Sequence, residues 1–191
     1  GKTPAAAWVA GVLKQAGRKP AILSRGYGED EAALLSRSYT VVVDPDRVSG
    51  AAKAEAEGAD VLVMDDGFQH RRLARGLDIV LLDATDPFGG GHLLPWGRLR
   101  EPREALGRAG AVLITRVDQA GPAVLKAIRE EAVRLAPEAL VAEAVHEPVE
   151  AEGFRGLGVY AACGIGNPEA FRRTLETVGA HVKGSRAFPD H

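Results

Sequence analysis

Five short runs of aliphatic residues, each closed by a turn or a polar residue, limit what this chain can become. They read AILS at 21–24, TVVVD at 40–44, VLVMDD at 61–66, IVLLD at 79–83 and AVLITR at 111–116. Each is continuous rather than alternating, which is the pattern of a strand buried on both faces. Between them lie segments of helical character. An alanine-rich stretch ends at Gly17, residues 48–58 mix alanine with charge, and PAVLKAIREEAVRLAP at 122–137 has proline near its start and past its end. Buried strands spaced by helices give a mostly parallel sheet with helices on both faces, so the fold class is α/β.

The order of the first elements narrows the class. The chain opens Gly1-Lys2-Thr3 and runs directly into the first helix, then the first strand. These three residues are the later half of the pattern G-x-x-x-x-G-K-[ST], in which backbone N–H groups and lysine cradle phosphate at a helix N-terminus. The tripeptide alone is common in surface loops; a following helix and strand in mononucleotide-binding order give it weight. The run VLVMDD then puts Asp65 and Asp66 at the carboxyl end of a strand, where open α/β sheets place their ligands and phosphate-loop enzymes their magnesium-holding aspartate. Asp65, Asp66 and Thr3 supply the oxygens that Mg²⁺ takes alongside phosphate and water. The competing reading is an ordinary Asp-Asp-Gly turn.

Further candidates fall at the same sheet edge. Ser24 and Arg25 end the first strand, and Asp30 with Glu31 follows a glycine-rich turn, in a place where a carboxylate accepts the proton of an attacking hydroxyl. A solvated acidic loop is the alternative there. His191, in FPDH, is suited to orient a catalytic carboxylate, or is simply exposed. The stretch FGGGHLLPWGRLREP at 88–102 is long for a compact domain, and its Trp96, Arg98 and Arg100 suit an amphiphilic anionic substrate. HRRLAR at 70–75 reads equally as an anion-holding cluster or a solvated helix face. TRVD at 115–118 is near the guanine-reading motif of phosphate-loop GTPases, with Asp118 as the reader, and also reads as a plain strand end.

Lys+Arg is 24 and Asp+Glu 26, a net charge of −2 that argues against a nucleic-acid-binding face. The single cysteine, Cys163, excludes an internal disulfide framework and is expected as a buried, inert thiol. No run of about eighteen apolar residues is present to span a bilayer. The texture changes near Glu152, which predicts a core at 1–152 and the start of a smaller α/β domain at 153–191, with the native protein extending beyond both ends.

Taken in order, GKTP at 1–4, LSRGYG at 23–28, Asp30-Glu31, DDGFQH at 65–70, FGGGHLLPWGRLREP at 88–102, GIGNP at 164–168 and FPDH at 188–191 resemble the tetraacyldisaccharide 4′-kinase family across the whole chain. DDGFQH together with LLPxGxLREP is the specific part. The resemblance implies ATP- and Mg²⁺-dependent phosphorylation of the 4′-hydroxyl of an acylated glucosamine disaccharide 1-phosphate. It implies a monomer peripheral to the cytoplasmic face of the bacterial inner membrane. Lys2 would reach the β- and γ-phosphates and Thr3 would ligate Mg²⁺. Asp30 and His191 would form the acid–base pair, and Asp65 and Asp66 the metal-binding acidic motif with Gln69 nearby. Arg100 and Glu101 would line the site.

Two departures from the family pattern bear on these roles. Glu29-Asp30-Glu31-Ala32 follows Gly28 directly where family members carry an insertion and then G-D-E-P, which makes Glu29 a rival to Asp30 as the base. Gly89-Gly90-Gly91 stands where F-G-N-G is common. The first half of the phosphate loop and a membrane-associating helix would lie upstream of Gly1. The alternative function is a phosphate-loop GTPase-type switch or maturation factor using Asp118 and no lipid acceptor.

Overall fold

The computed structural model describes residues 1–26, 29–148, 151–165 and 167–188, with the side chains of 29–31 outside that description. Contacts divide the chain into two compact units, Gly1–Val145 and His146–His191.

The first unit holds helices α1 (Lys2–Gln15), α2 (Glu29–Ser36), α3 (Arg47–Ala56) and α4 (Pro122–Leu135), and strands β1 (Pro20–Ser24), β2 (Thr40–Val43), β3 (Val61–Met64), β4 (Ile79–Asp83), β5 (Ala111–Thr115) and β6 (Leu140–Ala144). All its pairings are parallel, and they form two three-stranded sheets ordered β2-β1-β3 and β4-β5-β6. The class is α/β with parallel sheets, as the apolar runs require.

In the first sheet the central strand explains the layering. Successive side chains of a strand point to opposite faces. Ile22, fully buried, therefore meets Ala10 of α1 and Leu35 of α2, while Ala21 and Leu23 meet Ala54 of α3 on the other face. Alanine at the contact positions lets the helices approach closely. In the second sheet Val112 and Ile114 of β5 are fully buried against Ile128 and Ala132 of α4 and against Leu106 of the 3-10 turn Arg103–Arg108. Asp46 caps α3 by accepting from Val48 N at 3.0 Å, and proline in the first turn opens α4.

The second unit contains β7 (Gly158–Cys163), α5 (Pro168–Thr177) and β8 (His181–Ala187). Its two strands pair in parallel, and Asn167 caps α5 by accepting from Ala170 N at 3.0 Å.

Several expectations are corrected. EDEAALLS, for which a solvated acidic loop is the alternative reading, is helix α2, because Ala32, Ala33, Leu34 and Leu35 propagate a turn and Leu35 anchors it in the core. HRRLAR forms no helix; Arg75 is folded back onto the carbonyls of Gly67, at 3.2 Å, and His70. Strands β6 and β8 were not expected: LVAEA and HVKGSRA carry too few apolar residues, since β6 is an edge strand with Leu140 70% exposed and most of β8 faces solvent. Cys163 is half-buried rather than buried, since it ends β7.

Candidate phosphate and metal site

Parallel strands deliver their carboxyl ends to one edge, and there residues far apart in sequence converge. The first turn of α1 lies against the residues that follow β3. Lys2 Nζ is 2.5 Å from Asp66 Oδ1, and Thr3 Oγ1 is 3.3 Å from Asp65 Oδ2. Arg100 Nη1, from the long loop, donates to the other oxygen of Asp66 at 2.6 Å. Two cations from opposite sides thus hold one carboxylate.

Asp66 carries the electrostatic signature of that arrangement. Partial burial raises its pKa, but the hydrogen bonds from Lys2 and Arg100, reinforced by their charges, outweigh it and hold the carboxyl below its usual range. Its backbone is left-handed, with φ 53°, a conformation costly for a residue with a Cβ. Aspartate is among the few residues to visit it, and Gly67 follows because a Cβ there would stand 2.7 Å from that of Met64.

Arg47 was not among the expected site residues. It opens α3, is 2% exposed, and donates from Nη1 to Leu23 O and from Nη2 to Asp65 O, each at 2.9 Å. One guanidinium therefore ties the ends of β1 and β3 together beneath Asp65. Burial lowers its pKa, the charge of Arg25 lowers it further, and Asp66 and Asp65 oppose them. A sequence signal existed: a cation in a helix's first turn opposes the macrodipole and asks for a reason. Nearby, buried Asp44 accepts from Lys53 at 2.7 Å.

The remaining candidates sort by what they touch. Gln69, Arg100 and Glu101 line a cavity of about 900 Å³ together with Lys2, Asp65 and Asp66. Glu101 accepts from Arg108 Nη2 at 2.6 Å, and that guanidinium lies 4.4 Å from the centre of the Phe68 ring. Ser24 ends β1 at the same edge, with Arg25 after it. Gly1 precedes α1 as its N-cap. Asp30 lies by its backbone in α2, but its side chain and those of Glu29 and Glu31 fall outside the described residues, as does His191. Arg116, in the would-be guanine motif, pairs with Asp83 of β4, and Asp118 sits in the 3-10 turn Val117–Gln119. Among the described residues no contact favours guanine reading.

The cavity also borders all of β3 and most of β4, including Leu62, Met64, Val80 and Leu82. Among the described strands, β3 and β4 each have one unpaired edge. Among the described residues no three His, Cys, Asp or Glu side chains cluster tightly enough to enclose a metal. A cation held by Thr3 and Asp65 would need ligands from a bound anion, which is how Mg²⁺ binds beside phosphates.

The family model for tetraacyldisaccharide-1-P 4′-kinase (LpxK) matches residues 28–191. A tetraacyldisaccharide 4′-kinase of Anaeromyxobacter sp. strain Fw109-5 is 47% identical, covering 100% of this chain and 61% of the relative. That of Syntrophus aciditrophicus strain SB is 37% identical, covering 100% and 63%. The crystal structure of the "apo" form of LpxK from Aquifex aeolicus in complex with ATP aligns with a TM-score of 0.68 and 27% identity, over 100% of this chain and 67% of that one. The chain thus spans about 61% of the length of the first of these relatives.

Proposed function

We propose, from the premise that this chain belongs to the tetraacyldisaccharide 4′-kinase family, that its protein transfers the γ-phosphoryl of ATP to the 4′-hydroxyl of a tetraacylated glucosamine disaccharide 1-phosphate. One observation carries the reading: the Lys-Thr pair of the phosphate-loop motif meets the Asp-Asp pair across 64 and 62 residues of sequence. An incidental Gly-Lys-Thr turn has no reason to be there.

In this reading the first half of the phosphate loop lies on the N-terminal side of Gly1. The cavity between the unpaired edges of β3 and β4 supports it, because a strand leading into that loop would pair with both. Lys2 leaves Asp66 for the β- and γ-phosphates when nucleotide arrives. Thr3 and Asp65, adjacent oxygen donors, would hold Mg²⁺, with Asp66 available as a further donor once Lys2 and Arg100 turn toward phosphate. When bound, Mg²⁺ offsets the charge developing on the phosphate oxygens. Asp30 takes the proton of the acceptor hydroxyl, with His191 as its partner, and Glu31 is a site-lining residue. Ser24, Arg25, Gln69, Arg100 and Glu101 line the approach of the acceptor. Arg47 keeps Asp65 in register with β1. Most of the rate gain comes from this positioning and electrostatic complementarity.

The protein works peripherally at the cytoplasmic face of the bacterial inner membrane, where an acylated acceptor resides. Among the described residues no helix is long and apolar enough to cross a membrane. The test uses a chain extended upstream to the full length of its relatives, incubated with γ-labelled ATP, Mg²⁺ and the tetraacylated disaccharide 1-phosphate. Label on the lipid that disappears with Lys2→Ala supports the reading; GTP hydrolysis without lipid labelling defeats it.

A further inference from the structure

The loop after β4 ends in an apolar tip that the site above does not use. Trp96 is 88% exposed, more than any other large hydrophobic side chain among the described residues. Leu94 is 62% and Leu93 43% exposed, so three large apolar groups within four residues face solvent together. Single exposed apolar residues are ordinary, but a group of this kind marks an interaction surface.

The tip is held outward by its own backbone. Leu94 N donates to Leu99 O at 3.0 Å, Gly97 N to Leu93 O at 3.0 Å and Leu99 N to His92 O at 3.1 Å. Arg98 N donates to Gly89 O at 3.2 Å, closing the base against the glycine turn. Gly97 has no substitute in this turn, since a Cβ there would meet His92 O at 2.2 Å. These bonds close the base of the turn, and the side chains of Leu93, Leu94 and Trp96 project from it.

Chemistry selects the partner. The segment 88–100 contains His92, Arg98 and Arg100 and no acidic residue, and both arginines keep most of their side-chain surface in solvent, 71% and 53%, while ion-paired. An exposed tryptophan and leucines flanked in sequence by solvent-exposed arginines match the boundary of an anionic lipid layer, where indole sits at headgroup depth and cations meet phosphate. We propose that the 93–96 tip, led by Trp96, docks the protein onto an anionic phospholipid surface. This rests on the acylated acceptor proposed above, which places the reaction at such a surface. Docking there would set the Arg100 and Asp66 end of the loop at the height of a lipid headgroup.

The test uses the full-length protein and vesicles of phosphatidylethanolamine and phosphatidylglycerol, with no ATP and no acceptor, so its result is independent of phosphoryl transfer. The difference in emission between the wild type and Trp96→Phe isolates Trp96 from every other tryptophan. That difference is expected to shift to the blue on adding vesicles and to be quenched by lipids brominated near the glycerol end of the chain. Leu94→Ala with Trp96→Ala is expected to weaken vesicle partitioning by about a hundredfold, roughly tenfold for each of the two large apolar groups lost, with thermal unfolding unchanged. An unshifted Trp96 signal overturns the proposal even where vesicles still bind through another segment. So does a shift seen only when the acylated acceptor is added in detergent, which would assign the tip to the acceptor's own acyl chains. If vesicles shift Trp96 while no lipid is ever phosphorylated, the docking surface stands and the kinase reading falls.

Discussion

Lys2 and Asp66 form an ion pair at 2.5 Å, joining the start of the first helix to the turn after β3. On the role proposed for Lys2, the pairing holds the phosphate-binding cation on a carboxylate that Arg100 also holds at 2.6 Å. Under the proposed function, nucleotide would compete with Asp66 for Lys2. Asp66→Asn is therefore expected to tighten Mg²⁺-free ATP or ADP severalfold, while lowering turnover in the presence of Mg²⁺ by about 10²-fold or more, the usual scale for a lost charge-stabilising group. Equilibrium dialysis with and without Mg²⁺ checks the first part; weaker Mg²⁺-free binding would show that the ion pair is not a competitor.

The proton acceptor is decided by two single variants. Asp30→Ala in the full-length protein is expected to lower turnover by orders of magnitude while ATP affinity stays nearly constant. The reverse pattern, with Glu29→Ala inactive and Asp30→Ala active, would move the base by one residue.

Arg47 is expected to matter first through stability. Arg47→Met leaves the Asp65 carbonyl without its guanidinium donor and Leu23 O with only the bond from Asp65 N, at a cost of about 1–3 kcal/mol, or a fall in Tm of roughly 2–12 °C for a chain of this size. Arg47→Lys reaches one carbonyl at a time and should fall between. Calorimetry reads both, and a wild-type Tm for Arg47→Met would mean the guanidinium is dispensable.

Ile114 is fully buried at the centre of the β4-β5-β6 sheet. Ile114→Ala should cost about 2–5 kcal/mol through lost burial and the cavity left behind. Urea titration should show a lower midpoint with an unchanged slope; a loss under about 1 kcal/mol would mean that α4 closes over the gap.

Glu169, in the first turn of α5, is held from 4.5 down to about 2, chiefly by hydrogen bonds from Arg172, which outweigh the opposing effect of desolvation, with Arg173 adding to them. A depressed carboxyl pKa stabilises the folded state fully above the unfolded value near 4.5 and loses that contribution as pH falls toward about 2. The Glu169 side-chain carbon followed by NMR should titrate well below its unfolded value, and Glu169→Gln should remove that part of the acid-side slope. A midpoint near 4.5 would show the arginine pair too mobile to act.

How far the sequence could be read follows from what each feature depends on. β1 to β5 were legible because their apolar runs record burial on both faces, and α4 because its prolines and amphipathic spacing are local. β6 and β8 were hidden because edge and half-exposed strands need no apolar run. α2 was masked by EDE, whose charges looked like a loop until Leu35 found the core beside Ala10 and Ile22.

The candidate site divides the same way. Residue order alone picked out Lys2, Thr3, Asp65, Asp66 and Arg100, since each occupies a motif whose chemistry depends on residue type and spacing. It could not pair them. That Asp66 is shared by Lys2 and Arg100, that Asp65 faces Thr3, and that Arg47 ties the two strand ends from below were decided by the parallel sheet. Parallel strands bring their carboxyl ends to one edge whatever the length of chain between them. Contacts made there depend on register and loop path, which no local pattern records.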